Sequence, residues 1–312
     1  MMFTEQLSVC HMCPRFCGVN RLEGKTSDCG MDASIQVSHI GLHHGEEPPI
    51  SGRRGSGAVF FAGCNLHCVY CQNHQISQQY LENQVRTLSM TQLVDEMMKL
   101  QEQGAHNINF VSPSHVAFQM ADAIVLARKS GLTIPVVYNS NGYDSVETLQ
   151  QLRGLVDIYL PDIKYLDNAL GWRYSKVKDY ADVIPRVLKE MYDQVGDLVF
   201  DADGMATHGM LVRHLVLPGE IENSKQCLKL LSELSPNLFI SLMSQYAPLY
   251  KASQYPEINR PLTVSEYDEI MDYAIDLDLE NVFIQEMESK DACIPDFSQE
   301  KPFNFDEDSV AL

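Results

Sequence analysis

Three cysteines, Cys64, Cys68 and Cys71, lie at C-x3-C-x2-C spacing directly after the apolar, β-prone run Ala58 to Phe61. The run reads as a strand that delivers the thiols onto one loop. Three thiolates on a short loop can face a common centre, and soft sulfur suits the irons of an iron–sulfur cluster. A protein that supplies three of the four ligands leaves one iron open. The competing reading is a zinc site or a buried thiol cluster, although zinc cysteines usually come as two separated C-x2-C knuckles.

A second set, Cys10, Cys13, Cys17 and Cys29, has the spacing C-x2-C-x3-C-x11-C, with Pro14, Gly18, Gly24 and Gly30 available to bend the chain. Four ligands can close a site completely. An auxiliary iron–sulfur cluster and a structural zinc both fit, and spacing does not separate them. His11 reads as an exposed histidine. Cys227, inside a predicted helix, and Cys293, in the tail, read as structural.

The chain has 312 residues, enough for one large domain and a smaller appendage, and 45% hydrophobic residues, enough for a full core. Its net charge of -19 disfavours a nucleic-acid partner, because phosphate binding needs a basic surface and no basic run exceeds Arg53-Arg54. Neither a signal peptide nor an apolar run of membrane-spanning length is present. A cytoplasmic location is expected. In that reducing compartment nine cysteines point to metal ligation, not to disulfides.

Residues 33 to 57 carry His43-His44 beside Glu46-Glu47, without the i, i+4 spacing that would set ligands on one helix face, and read as a turn-rich connector. From residue 58 strands and helices alternate. Ser89-Met90-Thr91-Gln92 has the form of a capping box opening a helix that Gly104 stops. Strands follow at Asn107–Val111, Ile134–Tyr138, Val156–Leu160, Leu211–Leu217 and Leu238–Met243. Helices are expected over Ala121–Lys129, Val146–Leu152, Tyr180–Gln194 and Ser224–Leu234. Thr263-x-x-Glu266 opens another helix, and Asn281–Gln285 is a candidate seventh strand. From Glu286 the chain is acidic and irregular, ending Phe305-Asp306-Glu307-Asp308, and reads as a solvated tail. Such alternation implies an α/β fold with parallel strands and chemistry at their C-terminal ends. Periodicity does not choose between a barrel and an open sheet.

The Cys64 loop, with Tyr70 before its last cysteine, resembles the signature of the radical S-adenosylmethionine (SAM) enzymes. The resemblance extends to the branch that includes pyruvate formate-lyase activating enzymes. It is strongest for a set of activase-like proteins that share the opening Cys13-Pro14-Arg15 to Cys17-Gly18-Val19-Asn20-Arg21, the linker Ile50-Ser51-Gly52 to Gly55-Ser56-Gly57, and Gly63-Cys64-Asn65-Leu66 to Cys68-Val69-Tyr70-Cys71-Gln72-Asn73. It implies a partial (β/α)6 barrel with a small cysteine-rich N-terminal segment: segment and linker over 1–57, core over 58–250 and a C-terminal extension over 251–312. It also implies a [4Fe-4S] cluster on Cys64, Cys68 and Cys71, with SAM on the open iron and Tyr70 beside the cofactor.

Where activases have Gly-Gly-Glu-Pro to hold the SAM amino group, this chain has Val111-Ser112-Pro113-Ser114-His115, so that role falls to Ser112 and Ser114, with His115 a further candidate. Asn141 lies in a turn similar to their Thr-Asn-Gly. Asp162 and Lys164 match Asp-x-Lys: the lysine can neutralise the methionine carboxylate and the aspartate can accept from ribose hydroxyls. Arg213 matches the fifth-strand arginine and is expected to pair with a carboxylate in the barrel. Tyr246 stands where activases have a histidine. The function implied is reductive SAM cleavage to a 5'-deoxyadenosyl radical, an electron donor such as flavodoxin or ferredoxin, and a glycyl radical enzyme as the partner to be activated. Two readings compete: modification of another peptide or small molecule, and a non-catalytic iron–sulfur or zinc module for electron transfer or scaffolding.

Overall fold

The structure, a computed structural model, describes residues 3–78, 85–287 and 294–303. Two 3-10 turns, Thr4–Ser8 and Arg21–Glu23, precede β1 (Ile35–His43), α1 (Pro48–Ser51), β2 (Ser56–Phe61), α2 (His74–Ser77) and β3 (Arg86–Leu88). The chain continues through α3 (Met90–Glu102), β4 (Ile108–Val111), α4 (Ala117–Lys129), β5 (Val136–Ser140), α5 (Val146–Leu152) and β6 (Ile158–Pro161). Then come α6 (Asn168–Ser175), α7 (Tyr180–Val195), β7 (Val199–Phe200), β8 (Ala206–Leu215), α8 (Ile221–Leu234), β9 (Phe239–Met243), α9 (Val264–Asp276) and β10 (Val282–Ile284). The predicted capping box is present: Gln92 N–H donates to Ser89 Oγ while the Gln92 side chain accepts from Ser89 N–H. Thr263 and Glu266 form another at α9.

One sheet runs β10-β9-β8-β6-β5-β4-β2-β1-β3, with β7 paired to β8. From β2 to β10 every pair on that path is parallel, which gives the expected partial barrel, and β10 is the candidate seventh strand. Side chains alternate across it. Val59, Phe61, Ile108, Phe110, Tyr138, Tyr159 and Val212 face the helices in the main core. Val137, Ile158, Leu160 and Leu211 face inward and pack on Ile50.

The segment expected to be a turn-rich connector is instead structured, because it pairs with and plugs the barrel. β1 runs antiparallel to β2, with His43 opposite Ser56. Residues 44–55 therefore turn beneath the N-terminal ends of the parallel strands, where α1 inserts a fully buried Ile50. Alternation in β1 was hidden by Ser38, His39 and Gly41, which dilute its apolar pattern. A part of the expected solvated tail is likewise docked: Phe297 is buried with Phe303 against Phe60 and Val111, and its N–H donates to Gln75 Oε1 at 2.8 Å. Phe305 to Asp308 and Cys293 lie outside the described residues. α4 begins at Ala117, four positions before the sequence places it, and α6 was not foreseen. Among the described residues no helix is long and apolar enough to cross a membrane.

His214 joins the sheet to α8: one ring nitrogen lies 2.8 Å from Ile163 O and the other 2.9 Å from Ser224 Oγ. Burial pushes its pKa down to about 4. The unfolded chain takes up a proton that the folded chain refuses, so stability is held above an ordinary histidine pKa of about 6.5 and falls as pH drops towards 4. Between pH 7 and pH 5 this single group should cost about 2 kcal/mol. In urea titrations at both pH values, His214→Gln should lose less stability on acidification than the parent; equal losses would refute the assignment.

Candidate active site

Past β2 the chain turns at Gly63, whose φ is +80°, and a Cβ there would lie 2.6 Å from Cys29 O. Only glycine accommodates both the left-handed backbone and that approach. The following loop is fixed by the end of α6: His67 N–H donates to Ser175 O at 3.0 Å and Val69 N–H to Tyr174 O at 2.8 Å. Cys64 Sγ accepts from Leu66 N–H and from the Asn141 amide, each at 3.4 Å. Cys68 Sγ lies 3.0 Å from Ser175 Oγ, and Cys71 Sγ 3.2 Å from Ser77 Oγ.

Burial, and then the neighbouring Cys68, raises the Cys64 and Cys71 thiols to about 12 and about 11. Burial also raises Cys68, against the pull of Lys164. Metal binding must therefore displace protons from all three. The donor set fits an iron–sulfur cluster: three thiols on one loop, with hydrogen-bond donors already directed at Cys64. Among the described residues no three Cys, His, Asp or Glu side chains converge on a single-ion position.

The strand ends converge on this loop. Asn141 also donates to Asn65 Oδ1 at 2.8 Å, and Gly142 follows it at a point where a Cβ would lie 2.3 Å from Asp162 O. Lys164 Nζ donates to Asp162 Oδ2 at 2.7 Å, and Lys164 is close enough to Cys68 for each to stabilise the other's charge. Arg213 pairs with a carboxylate as expected, and in fact with two: Nε donates to Asp162 Oδ1 at 2.9 Å and one terminal nitrogen to Glu46 Oε2 at 3.0 Å, while the other reaches Asn139 Oδ1 at 2.6 Å. Burial works to raise the Asp162 pKa, but Arg213 and Lys164 together hold it below the usual value.

Glu46 was missed by sequence reading because its segment reads as a turn-rich connector. Its Oε1 accepts from Asn109 at 2.9 Å and Asn139 at 3.0 Å, and its side chain is only 6% exposed. Burial raises the pKa of Glu46 and of Glu47. The one sequence signal was a pair of glutamates immediately before Pro48-Pro49-Ile50, the plug itself.

Tyr70 heads a second missed feature. Its hydroxyl lies 2.6 Å from Tyr165 OH, which lies 3.0 Å from Ser175 Oγ, which in turn contacts Cys68. The Tyr246 ring packs on Tyr70 at 5.8 Å, and its hydroxyl donates to Ile258 O. Ser112 adopts a left-handed backbone, with φ of +56°, and its N–H donates to Asn139 O. Ser114 departs from the expected role: its hydroxyl sits beside Asp144 and Tyr138, on the helix-facing side of β5. His115 also serves elsewhere. Its Nε2 lies 2.7 Å from Ala62 O, its carbonyl accepts from Arg21, and burial lowers its pKa to about 4.

Cys10, Cys13, Cys17 and Cys29 are brought together around one small pocket, which Arg15, Arg21 and His115 also line. Cys227 is buried in α8 and apart from both sets.

Comparison with known proteins gives three results. The model of the Radical SAM superfamily matches residues 58–237, more than half of the chain. An uncharacterized protein of Methanocaldococcus jannaschii is 33% identical over 280 residues, covering 88% of this chain and 76% of that protein. Among solved structures, Streptococcus suis SuiB bound to the precursor peptide SuiA aligns with TM-score 0.51 at 11% identity, covering 78% of this chain and 51% of SuiB. This chain thus spans about half of SuiB, and the likeness concerns the fold alone. With the barrel, the cysteine loop and the family match in agreement, the chain belongs to the radical SAM superfamily.

Proposed function

We propose that this radical SAM enzyme binds a [4Fe-4S] cluster through Cys64, Cys68 and Cys71 and cleaves SAM reductively to activate a partner enzyme. The family implies both cluster and SAM. When bound, they supply a 5'-deoxyadenosyl radical. The observation that carries the site assignment is the Asp162–Lys164 pair beside Cys68, a charge arrangement that a mere cluster carrier would not need.

In this reading the chain's own groups act as follows. Leu66 N–H and the Asn141 amide donate to Cys64 Sγ and stabilise it as thiolate. Lys164 neutralises the methionine carboxylate, while Asp162 accepts from ribose hydroxyls. Arg213 and Glu46 are positioning residues, since they hold Asp162 from below. Ser112, at the end of β4, is the candidate for the SAM amino group, and Tyr70 backs the loop through Tyr165 and Ser175. A flavodoxin- or ferredoxin-type donor supplies the electron, and a cytoplasmic location suits the reduced thiols.

For the acceptor of the radical, we propose the backbone glycine of a partner enzyme, following the resemblance to the activases. The departures at Val111–His115 and Tyr246 argue that the partner is not pyruvate formate-lyase itself. Reduced enzyme, SAM and the cognate partner should yield a protein-bound doublet in electron paramagnetic resonance. A modified peptide or small molecule without that doublet would overturn the activase role and leave SAM cleavage intact.

Anaerobically reconstituted, reduced protein should release 5'-deoxyadenosine from SAM, and Cys68→Ala should abolish release; a filled cluster with no product would sink the proposal. Lys164→Ala should weaken SAM binding by roughly 10- to 100-fold through loss of a charge-assisted bond, measured by equilibrium titration on cluster-loaded protein. Glu46→Ala leaves Arg213 on Asp162 and Asn139 but removes one of its two carboxylates and the acceptor of Asn109 and Asn139, and should cost about 1–3 kcal/mol of stability. Glu46→Gln, which can still accept from Arg213, should cost clearly less in the same denaturation experiment.

A further inference from the structure

Arg21 is a cation buried beside Cys10, the first of the N-terminal cysteines. It is 1% exposed, yet every hydrogen bond found for its guanidinium ends on a neutral carbonyl or on sulfur: Asp32 O at 2.9 and 2.6 Å, His115 O at 2.7 Å and Cys10 Sγ at 3.9 Å. A buried charge is costly unless an opposite one offsets it. The groups in electrostatic reach are the Asp32 carboxylate and the thiols of Cys10 and Cys29. As thiolates around a metal centre, the cysteines would add negative charge on the side where Arg21 contacts sulfur.

The four cysteines line one small pocket, together with Arg15, Arg21 and His115. Zinc has no redox chemistry, so a zinc site gains nothing from lying against a cluster loop, whereas an iron–sulfur centre in the same place can exchange electrons with it.

The site also abuts the cysteine loop of the active site. Asn65, fully buried, lies 3.9 Å from Cys64 Sγ through Oδ1, and its side chain reaches Cys13. Arg15, between Cys13 and Cys17, donates to Asn65 O at 2.9 Å. Gly63 lies directly against Cys29 O. His115 ties the two together from behind, with Arg21 on its carbonyl and Ala62 O on its ring.

We propose that Cys10, Cys13, Cys17 and Cys29 hold a second iron–sulfur cluster, and that it relays electrons across Asn65 to the cluster at Cys64, Cys68 and Cys71. The relay half rests on the active-site reading above. One electron enters from a low-potential flavin or iron–sulfur protein and reduces the outer cluster; it then passes inward, returning the outer cluster to its oxidised state, with no atom transferred. The fully ligated outer cluster has no open iron, so it carries charge and does not bind SAM.

Two measurements on anaerobically purified full-length protein test this. In the double variant Cys68→Ala/Cys71→Ala, one cluster should remain, paramagnetic on reduction and unchanged in its spectrum by added SAM. Stoichiometric zinc in place of iron there would overturn the proposal. In Cys13→Ser, or in Cys17→Ser at the half-buried position should the first not fold, iron content should fall by roughly half while the signal of the Cys64 site persists. Stopped-flow reduction of that site by reduced flavodoxin should then slow at least tenfold, with reduction by dithionite unaltered. An unchanged rate with flavodoxin would refute the relay. A double variant that keeps its cluster, beside a parent that cleaves no SAM, would refute the active-site reading and leave the second cluster standing.

Discussion

The buried ion network around Arg213 is the constraint on which the interior of this barrel depends. An unpaired guanidinium inside a β-barrel is prohibitively costly, so Arg213 on β8 dictates what its neighbours must be. Asp162 comes from the end of β6, Asn139 from β5 and Glu46 from the turn beneath the barrel. Lys164 then pairs with the same Asp162 and carries positive charge up to the cysteine loop. Three elements of the sheet and one segment outside it are thereby locked in register by a single side chain.

This network explains why the segment ahead of β2 must be ordered. Glu46 can reach Arg213 only if β1 descends along β2 and turns below the strands. Ile50 on α1 then closes the hydrophobic floor beneath the charges. Water excluded by that floor would otherwise screen the ion pairs and weaken the field at Asp162 and Lys164. The count of charges also matters: Glu46, Glu47 and Asp162 face Arg213 and Lys164. Burial favours the protonated form of the glutamates, which relieves the excess of carboxylates.

The parallel core was legible because its signals are local. β2, β4 and β6 are short apolar runs, and the α3 and α9 capping boxes are written within four residues each. Arg213, Asp162 and Lys164 were reached through the resemblance to the activases, whose motifs they match. What escaped depends on contacts far apart in sequence. Glu46 and Arg213 are separated by 167 positions, and nothing in Gly45-Glu46-Glu47-Pro48 announces a barrel interior. Tyr165 and Ser175 look like ordinary loop and helix residues until they meet Tyr70 and Cys68. Ser114 lies in a 3-10 turn, Pro113–His115, entered through the left-handed Ser112, and the turn carries its hydroxyl to Asp144 and Tyr138.

The docked C-terminal segment adds a further consequence for access. Phe297 and Phe303 cover Phe60 on the inner side of β2, and Phe303 also meets His43 on β1 with ring centroids 4.3 Å apart. Gln75, just past the cysteine loop, fastens this segment through Phe297 N–H and Asp296. The inward face of the sheet near β1 and β2 is thus lined by aromatic rings, not left open to water. Any group brought to the cysteine loop meets an apolar wall on that side and the charged Asp162–Lys164 pair on the other. That asymmetry means that each half of the site desolvates a different kind of group: the rings suit an apolar one, and the ion pair a polar or charged one.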